Sequence, residues 1–318
     1  MYPAAAGAAA VEYGGEVAGG LSASPRSVPS KYFYDARGSV LFDRICHTPE
    51  YYPTRTEDRL LAESAASIVH YARPEHIIEL GSGTSRKTRH LFDACEKAEQ
   101  AVHYWPLDVC AEMLTDAGLA LLADYPWLSI TALEADYLAG LDALPVAAGR
   151  RLFVFLGGTL GNFEQQQAAC FLRELRGLMA PDDYLLLGLD RVKEPSVLKA
   201  AYNDAAGVTA EFNLNMLHVL NRELGADFPV DRFRHRAVYN RQAERIEMYL
   251  IATKAVAVSV AALGGVYRFE PGDRLLTEIS QKYSGERLAA LMAEAGLAEC
   301  AHFTPPNRYF SLLLLKAA

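Results

Sequence analysis

"IIELGSGTSRKT" (residues 77–88) is the stretch that decides the fold of this chain. An apolar run ends at Glu79 and Leu80, a Gly-Ser-Gly turn follows, and polar residues then open a helix. A glycine-rich turn between strand and helix can hold a dinucleotide, a phosphate or the adenosyl group of a methyl donor. Taken alone, the same turn could be an ordinary tight turn, so the rest of the chain has to decide.

Short apolar runs alternate with helical patterns on both sides of this turn. We predict strands at 76–80, 102–109, 128–136, 151–158 and 184–190, and helices at 85–98, 111–123 and 165–179. Near-continuous apolar strands with helices between them indicate a parallel sheet covered on both faces. A helix at 284–297 and two strands at 299–304 and 309–315, joined by "PPN", close the chain. Five parallel strands with an antiparallel terminal pair predict an α/β fold with the Rossmann-like sheet of class I methyltransferases.

The pattern predicts a second, α+β lobe beside this core. Residues 195–224 are expected to be helical, and 233–255 to form two strands joined by a polar turn. We therefore assign 62–192 and 284–318 to the core, and 25–61 and 193–283 to a substrate-binding lobe. Residues 1–24 are expected to be a disordered tail; without a basic start, and with Glu12 and Glu16 in it, it does not resemble a signal peptide.

Net charge and the cysteine and histidine content exclude several classes of binding partner. The net charge of −8 disfavours nucleic acid and anionic membranes, and no apolar stretch is long enough to span a bilayer. The five cysteines are widely spaced without a C-x-x-C pair, which favours a reduced, cytoplasmic location. The eight histidines form no ligand pair, so no metal is expected. We expect a monomer that acts on a small molecule.

The turn itself lacks one feature of a dinucleotide site. The G-x-G-x-x-G fingerprint needs a third glycine for close packing around a pyrophosphate, and here that position is Arg86. A methyl donor has no pyrophosphate, and its methionine part carries an ammonium group that an acid such as Glu79 would suit. We therefore assign Glu79, Gly81, Ser82 and Gly83 to donor binding.

Two further acids follow the next two strands. Asp108 ends the second strand, where a carboxylate can accept both hydroxyls of a ribose, and Asp136 ends the third, beside Tyr137. An acid there can accept from an adenine amino group while the ring packs on the base. Each acid alone could be a helix cap, but three in this order favour an adenosyl ligand.

The loop after the fourth strand, "FLGGTLGNF" (155–163), predicts the acceptor side. Gly157, Gly158 and Gly161 would expose backbone groups, and the amide of Asn162 can both donate to and accept from a zwitterionic amino acid. The alternative is a glycine-rich loop with a capping asparagine.

Longer stretches resemble the histidine Nα-methyltransferases of ergothioneine biosynthesis, from about residue 25 to the end. They are "KYFYDARGSVLFDRICHTPEYYPTRTE" (31–57), "ELGSGTSRKT" (79–88), "FLGGTLGN" (155–162), "AAYNDAAGVTAEFNLNMLHVLNRELGADF" (200–228), "IEMYL" (246–250) and "LLTEISQKY" (275–283). The resemblance implies S-adenosylmethionine as donor, S-adenosylhomocysteine as its product, no metal, and conversion of L-histidine to the trimethylated betaine hercynine.

The resemblance also implies roles for individual residues. Donor binding falls on Tyr34, Gly81, Lys87, Asp108, Asp136 and Tyr137. Substrate binding falls on Tyr51, Gly157, Asn162, Tyr202, Met248, Glu278 and Ser280. In the family, the residues that match Asn162 and the Tyr of "AAYND" (Tyr202) hold the carboxylate and the amino group of the substrate. The Glu and Ser of "TEIS" bond its imidazole ring. Without the resemblance, Glu278 could be a solvated acid at a helix start, Met248 plain core packing, and Tyr51 part of a packed turn.

In the implied reaction the neutral α-amine attacks the sulfonium methyl and S-adenosylhomocysteine leaves, with Asn162 and Tyr34 as candidates for handling the proton. We expect positioning of the reactants to dominate. Two rival functions stay open: a same-fold methyltransferase for another amino acid such as tryptophan, and a catalytically silent donor-binding scaffold. A nicotinamide oxidoreductase is disfavoured by the missing glycine and the antiparallel end.

Overall fold

A computed structural model describes residues 15–141, 144 and 147–318. The strands within them are β1 (Arg26–Ser27), β2 (His76–Leu80), β3 (His103–Asp108), β4 (Ser129–Ile130), β5 (Leu133–Glu134), β6 (Arg151–Phe155), β7 (Tyr184–Asp190), β8 (Phe233–Asn240), β9 (Arg245–Ala252), β10 (Val256–Val260), β11 (Gly265–Phe269), β12 (Arg274–Gln281), β13 (Leu297–Phe303) and β14 (Phe310–Ala317). The α-helices are α1 (residues 15–22), α2 (Ala36–Cys46), α3 (Tyr52–Ala72), α4 (Arg89–Lys97), α5 (Ala111–Asp124), α6 (Gln165–Leu178), α7 (Pro195–Ala201), α8 (Val208–Leu224) and α9 (Gly285–Ala295).

Contacts divide the chain into two units. The first contains Pro53–Arg191 and Tyr283–Ala318, and the second contains the described residues up to Tyr52 together with Val192–Lys282. The break near the N-terminus falls at the start of α3 rather than at 61/62, because α3 is one unbroken helix with Leu60 and Leu61 in a core of the first unit. The substrate-binding role of the second unit stays a prediction.

The first unit is built on one mixed sheet. Its strand order is β13-β14-β7-β6-β2-β3-β4, with β5 also beside β3, and β14 runs antiparallel to both of its neighbours. The remaining pairs are parallel. If β4 and β5 are taken as the single strand expected over 128–136, this is the strand order of class I methyltransferases, and the predicted fold class is confirmed. That expected strand is interrupted between Ile130 and Leu133.

Alternation along the strands explains why this sheet is covered on both faces. In β6, Phe153 and Phe155 join one core while Leu152 and Val154 join another on the opposite face. Successive side chains of a strand point to opposite faces, so a run that is apolar throughout must be buried on both. Because β2, β3, β5 and β6 run parallel, their carboxyl ends lie at one edge of the sheet. That edge receives the turns that follow these four strands.

The second unit has its own sheet and its own core. Its sheet order is β1-β12-β9-β8, and β10 and β11 form a separate hairpin. Phe33 stacks on Phe212 at 4.5 Å between ring centroids within the single core of this unit. The strands β8 and β9 lie where the sequence predicts two strands, whereas β10, β11 and β12 were not predicted.

The segment 195–224 is two helices rather than one. α7 ends at Ala201, and α8 begins at Val208 after Gly207, whose φ of 74° is in the left-handed region. The carboxylate of Asp204 accepts from the backbone N–H groups of Val208 and Thr209 at 2.8 and 2.7 Å. A capping acid followed by a glycine therefore starts a new helix.

The expectation of a disordered tail over 1–24 is wrong for its last part. Residues 15–22 are helical, and Val17 and Leu21 are fully buried in the core of the second unit. An ion pair of 2.7 Å joins Glu16 to Lys31. The small residues of this segment gave no helical pattern in the sequence. Two apolar side chains one helical turn apart are nevertheless enough to hold it against the core. Residues 1–14 lie outside the described part of the chain.

Among the described residues, no helix is both long enough and apolar enough to cross a membrane. All five cysteines are free thiols.

Candidate active site

The turn after β2 is shaped by its two glycines. Gly81 and Gly83 have φ values of 68° and 52°, in the left-handed region that other residues rarely adopt. A Cβ at Gly81 would lie 3.4 Å from Cε1 of Tyr137, and the N–H of Gly83 donates to Oδ2 of Asp108 at 2.8 Å. The structure thus brings together the turn and the two later segments assigned to donor binding.

Asp108 and Asp136 both keep acceptor capacity at this edge. The Oδ1 of Asp108 also accepts from the N–H of Cys110 at 3.1 Å, and the Oδ1 of Asp136 accepts from Leu138 at 2.8 Å. A carboxylate offers about four lone-pair positions, so both acids can accept from further donors. Burial raises the pKa of Tyr137, with the charges of Asp136 and Asp108 adding to the effect, so the neutral phenol is favoured.

Glu79 lies deeper than the other acids. Its carboxylate is almost fully buried, accepts from the hydroxyl of Thr88 at 2.7 Å, and bonds the phenol of Tyr104. Burial raises the pKa of Glu79 to about 7, while these two hydroxyls oppose the shift. These contacts hold the carboxylate of Glu79 at the base of the turn. A contact of Glu79 with the ammonium group of a donor stays a prediction.

Ser82 is the remaining turn residue assigned to the donor. Its hydroxyl oxygen is buried and has no hydrogen-bond partner among the residues that the structure describes. Such a group normally finds a partner, so the turn leaves a polar atom to be satisfied.

Lys87 meets an acid that the sequence analysis did not single out. Its ammonium pairs with Glu57 of α3, and the same carboxylate accepts from the N–H of Gly157 at 2.8 and 2.9 Å. Glu57 therefore links the helix after the turn to the loop after β6. The sequence contains one indication of this role. Glu57 lies one turn before Leu60 and Leu61 on the apolar face of α3, where a buried acid needs a specific partner.

The loop after β6 turns sharply at two glycines. Gly157 and Gly158 have φ values of 81° and 66°, and a 3₁₀ helix over Thr159–Asn162 follows. This turn leaves Gly157 exposed and Asn162 half-buried in the first unit. Both were assigned to the amino acid, yet they share a unit with the donor residues.

The other substrate-binding candidates lie on the sheet of the second unit. Glu278 is opposite Met248 in the antiparallel pair of β12 and β9, and Ser280 is opposite Ile246. Cross-strand partners share a face, so the acid and the thioether are neighbours. Glu278 is therefore in a strand, and the reading of it as an acid at a helix start is wrong. Burial raises the pKa of Glu278 to about 7, against the opposing charge of Lys282.

Ser280 belongs to a buried polar triangle. Its hydroxyl is 2.9 Å from that of Tyr202, and the ammonium of Lys282 donates to Ser280 at 2.8 Å and to Tyr202 at 3.1 Å. Tyr202 follows α7 as its C-cap, and Nε2 of His235 contacts its carbonyl oxygen at 2.9 Å. Lys282 was not among the predicted site residues, although its spacing of two from Ser280 and four from Glu278 predicts the same strand face.

Tyr51 and Tyr34 complete the set in the second unit. The Tyr51 ring is buried, with its centroid 6.0 Å from that of Tyr202, and burial raises its pKa, with Tyr202, Cys46, Glu278 and Tyr34 adding to the shift. Tyr34 is 40% exposed, and its ring contacts Phe42 and Phe212 edge-on at 5.8 Å. Tyr34 was assigned to the donor but shares a unit with the substrate residues.

The residues of the first unit fit S-adenosylmethionine chemically. A Cβ at Gly81 would fill the space beside the ring of Tyr137, so the glycine leaves this space open. The carboxylates of Asp108 and Asp136 can accept further hydrogen bonds there. Among the described residues, no group of three or more His, Cys, Asp or Glu is placed to hold a metal ion.

Comparison with known proteins identifies the family. Residues 13–317 match the family described as histidine-specific methyltransferase, SAM-dependent. A histidine N-alpha-methyltransferase of Mycolicibacterium smegmatis is 48% identical over 299 residues, covering 94% of this chain and 93% of that protein. One from Mycobacterium tuberculosis is 44% identical with the same coverage.

More distant relatives share less. Ergothioneine biosynthesis protein 1 of Neurospora crassa is 32% identical over 92% of this chain, which covers 33% of that larger protein. A solved S-adenosylmethionine-dependent methyltransferase from Clostridium acetobutylicum superposes with a TM-score of 0.47 at 11% identity, over 82% of this chain and 92% of that one. The strand order of the first unit, and not this superposition, identifies the fold. The match over nearly the whole chain shows that it belongs to the family of histidine-specific, S-adenosylmethionine-dependent methyltransferases.

Proposed function

We propose that this enzyme transfers methyl groups from S-adenosylmethionine to the α-amino nitrogen of L-histidine, three times in succession, to give hercynine. The family and the two mycobacterial relatives named histidine N-alpha-methyltransferase support the substrate and the nitrogen. The name of the Neurospora crassa relative supports a place in ergothioneine biosynthesis.

The polar face of β12 is the observation that carries the choice of substrate. Glu278 and Ser280 are two residues apart on a strand, so both side chains point the same way. A neutral imidazole has one nitrogen that donates and one that accepts, and it needs one partner for each. A carboxylate beside a hydroxyl supplies such a pair, and Met248 adds an apolar contact for the ring.

When bound, the donor would supply an electrophilic methyl group on its sulfonium; the nitrogen lone pair would bond to that methyl carbon while the carbon–sulfur bond breaks and S-adenosylhomocysteine leaves. We propose that the carboxylate of Asp108 accepts the ribose hydroxyls, that Asp136 accepts from the adenine amino group, and that Tyr137 packs on the base. Lys87 is proposed to contact the donor's methionine carboxylate through its ammonium. The contacts of Asp108 with Gly83 and of Lys87 with Glu57 hold both side chains at the turn and support these roles.

The α-amine must lose a proton before it can attack, since a peptide α-amino group already has a pKa near 8. Asn162 and Tyr34 remain our candidates for orienting the amine and handling this proton. Aligning two bound reactants can contribute roughly 7–11 kcal/mol to lowering the barrier, so we assign most of catalysis to positioning. The rings of Tyr51 and Tyr34 would stabilise the growing ammonium by cation–π contact.

Mass spectrometry tests the reaction directly. The purified chain, L-histidine and S-adenosylmethionine should give mono-, di- and trimethylated histidine in sequence, with every added methyl group on the α-nitrogen. Tryptophan added in excess should not compete. A product methylated on the imidazole, preferential use of tryptophan, or donor binding without any turnover would each refute the proposal.

Glu278→Ala tests the assigned substrate contact. It should weaken histidine binding while leaving the affinity for S-adenosylhomocysteine unchanged. Glu270→Ala, an exposed acid of the same unit, is the matched control and should alter neither. Loss of donor affinity in Glu278→Ala with histidine binding intact would contradict the assignment.

We further propose that the enzyme is a cytoplasmic monomer whose partner is a small molecule. Free thiols at all five cysteines support a reducing compartment. Light scattering of the purified protein with and without donor tests the oligomeric state.

A further inference from the structure

Lys282 is a buried charge that the proposed reaction does not use. The residue is 1% exposed, and it is among the largest fully buried side chains of the described chain. Its ammonium also lies 4.9 Å from the ring centroid of Tyr202. Burying a lysine costs several kcal/mol unless its hydrogen bonds recover the loss, so a lysine in this position calls for a specific role.

The triangle around Lys282 constrains the direction of its hydrogen bonds. An ammonium only donates, so it occupies one lone pair on the hydroxyl of Ser280 and one on that of Tyr202. The two hydroxyls are themselves 2.9 Å apart. Either hydroxyl could donate in this pair; we assign the donor role to Tyr202, because a phenol, with a pKa near 10, is a stronger donor than an aliphatic alcohol. Both lone pairs of Ser280 are then occupied, and its remaining capacity is to donate its own proton.

We propose that Lys282 is a positioning residue that commits Ser280 to donating, so that the site accepts a ring whose facing nitrogen is unprotonated. This inference rests on the proposed function. Glu278, two residues earlier on the same strand face, then accepts from the other ring nitrogen. A neutral imidazole in a single tautomer meets both demands, whereas a phenyl ring offers neither group and an indole offers only a donor.

Nitrogen NMR of bound histidine reads this arrangement directly. The wild-type enzyme is saturated with S-adenosylhomocysteine and with histidine labelled with ¹⁵N in the ring. One ring nitrogen should have the shift of a protonated site and the other that of a hydrogen-bonded, unprotonated site. Lys282→Met should mix the two tautomers. Lys193→Met is the matched control, since that lysine also bonds a tyrosine hydroxyl and lies 4.3 Å from its ring centroid in the same unit.

Binding measurements separate this role from a merely structural one. The affinities for histidine and for 3-(2-thienyl)alanine, whose five-membered ring has no nitrogen, are compared by calorimetry. Lys282→Met should lower the preference for histidine by about tenfold, as expected for loss of one oriented hydrogen bond in a buried site. Lys193→Met should leave the preference unchanged.

The outcomes distinguish this inference from the proposed function. If the wild type does not bind histidine at all, the proposed function fails. If it binds histidine as an imidazolium with both nitrogens protonated, or if Lys282→Met weakens both ligands equally, the role of Lys282 is refuted while the function stands. Should Lys282→Met fail to fold, the wild-type spectrum alone decides, because a doubly protonated ring excludes a donating Ser280.

Discussion

Replacing Glu57 with glutamine should destabilise the first unit through a single buried ion pair. The Glu57 side chain is 1% exposed and that of Lys87 is 20% exposed. Glutamine has the same shape and keeps one carbonyl oxygen for the N–H of Gly157, so that bond can survive. The ion pair cannot, because an amide placed against the ammonium carries no charge and can turn its own N–H groups toward it.

The size of the loss follows from this geometry. Removing one partner of a buried ion pair costs about 3–5 kcal/mol, mostly because the other charge is left uncompensated. Lys87 is one-fifth exposed and can turn partly toward water, which places the expected loss at the lower end, about 3 kcal/mol. With a urea slope near 3 kcal/mol per molar, the unfolding midpoint should fall by about 1 M.

Urea unfolding followed by tryptophan fluorescence is the assay. Both tryptophans of the chain, Trp105 and Trp127, are in the first unit, so the signal reports on the unit that contains Glu57. Glu63→Gln is the control, since Glu63 lies on the same helix and forms an exposed ion pair with Arg59. It should have no measurable effect.

A double variant checks the cause. Glu57→Gln combined with Lys87→Met removes both charges, and most of the lost stability should return, because no buried charge is then left unpaired. A single variant whose midpoint equals that of the wild type would refute the reasoning. So would a double variant that is less stable than the sum of the two single changes.

Three further predictions concern other polar groups of the first unit. Burial raises the pKa of Glu79 to about 7, against 4.5 in the unfolded chain, so its stabilising contribution is full below pH 4.5 and is lost as the pH rises through 7. In urea unfolding, the free energy of unfolding of Glu79→Gln should therefore vary less with pH than that of the wild type, by up to about 3 kcal/mol. Asp183→Asn should cost about 3–5 kcal/mol in the same assay, because the acid is buried and accepts from the guanidinium and the N–H of Arg151, whereas Glu294→Gln in an exposed pair should change nothing measurable. Asp108→Asn should weaken calorimetric binding of S-adenosylhomocysteine about tenfold and leave the unfolding midpoint near that of the wild type; equal affinity would contradict the assigned ribose contact.

The sheet of the first unit was predictable because its signals are local. Near-continuous apolar runs with helices between them indicate a parallel sheet covered on both faces, and each predicted strand overlaps a strand of the structure. The acids at strand ends were visible for the same reason, since parallel strands bring their ends to one edge. The interruption between β4 and β5 was not visible, because propensity alone does not say where pairing to β3 stops.

The second unit was predicted less well because its contacts are distant in sequence. The strand β1 pairs with β12 across most of the chain, and α1 is held by burial of Val17 and Leu21 rather than by its own composition. Small residues around these two positions carry little helical or apolar pattern, so only packing against the rest of the unit reveals the element.

The sequence by itself determined the class of fold, the glycine turn and the chemical types of residue that could hold a donor and an amino acid. Those features depend on periodicity and on residue chemistry, which are written locally in the chain. Only the tertiary structure decided which polar groups are already engaged with each other. Glu57 meets Lys87 and Gly157, Glu79 turns into the core, and Lys282 joins Ser280 and Tyr202, because hydrogen bonds between residues far apart in the chain are set by packing geometry and not by spacing.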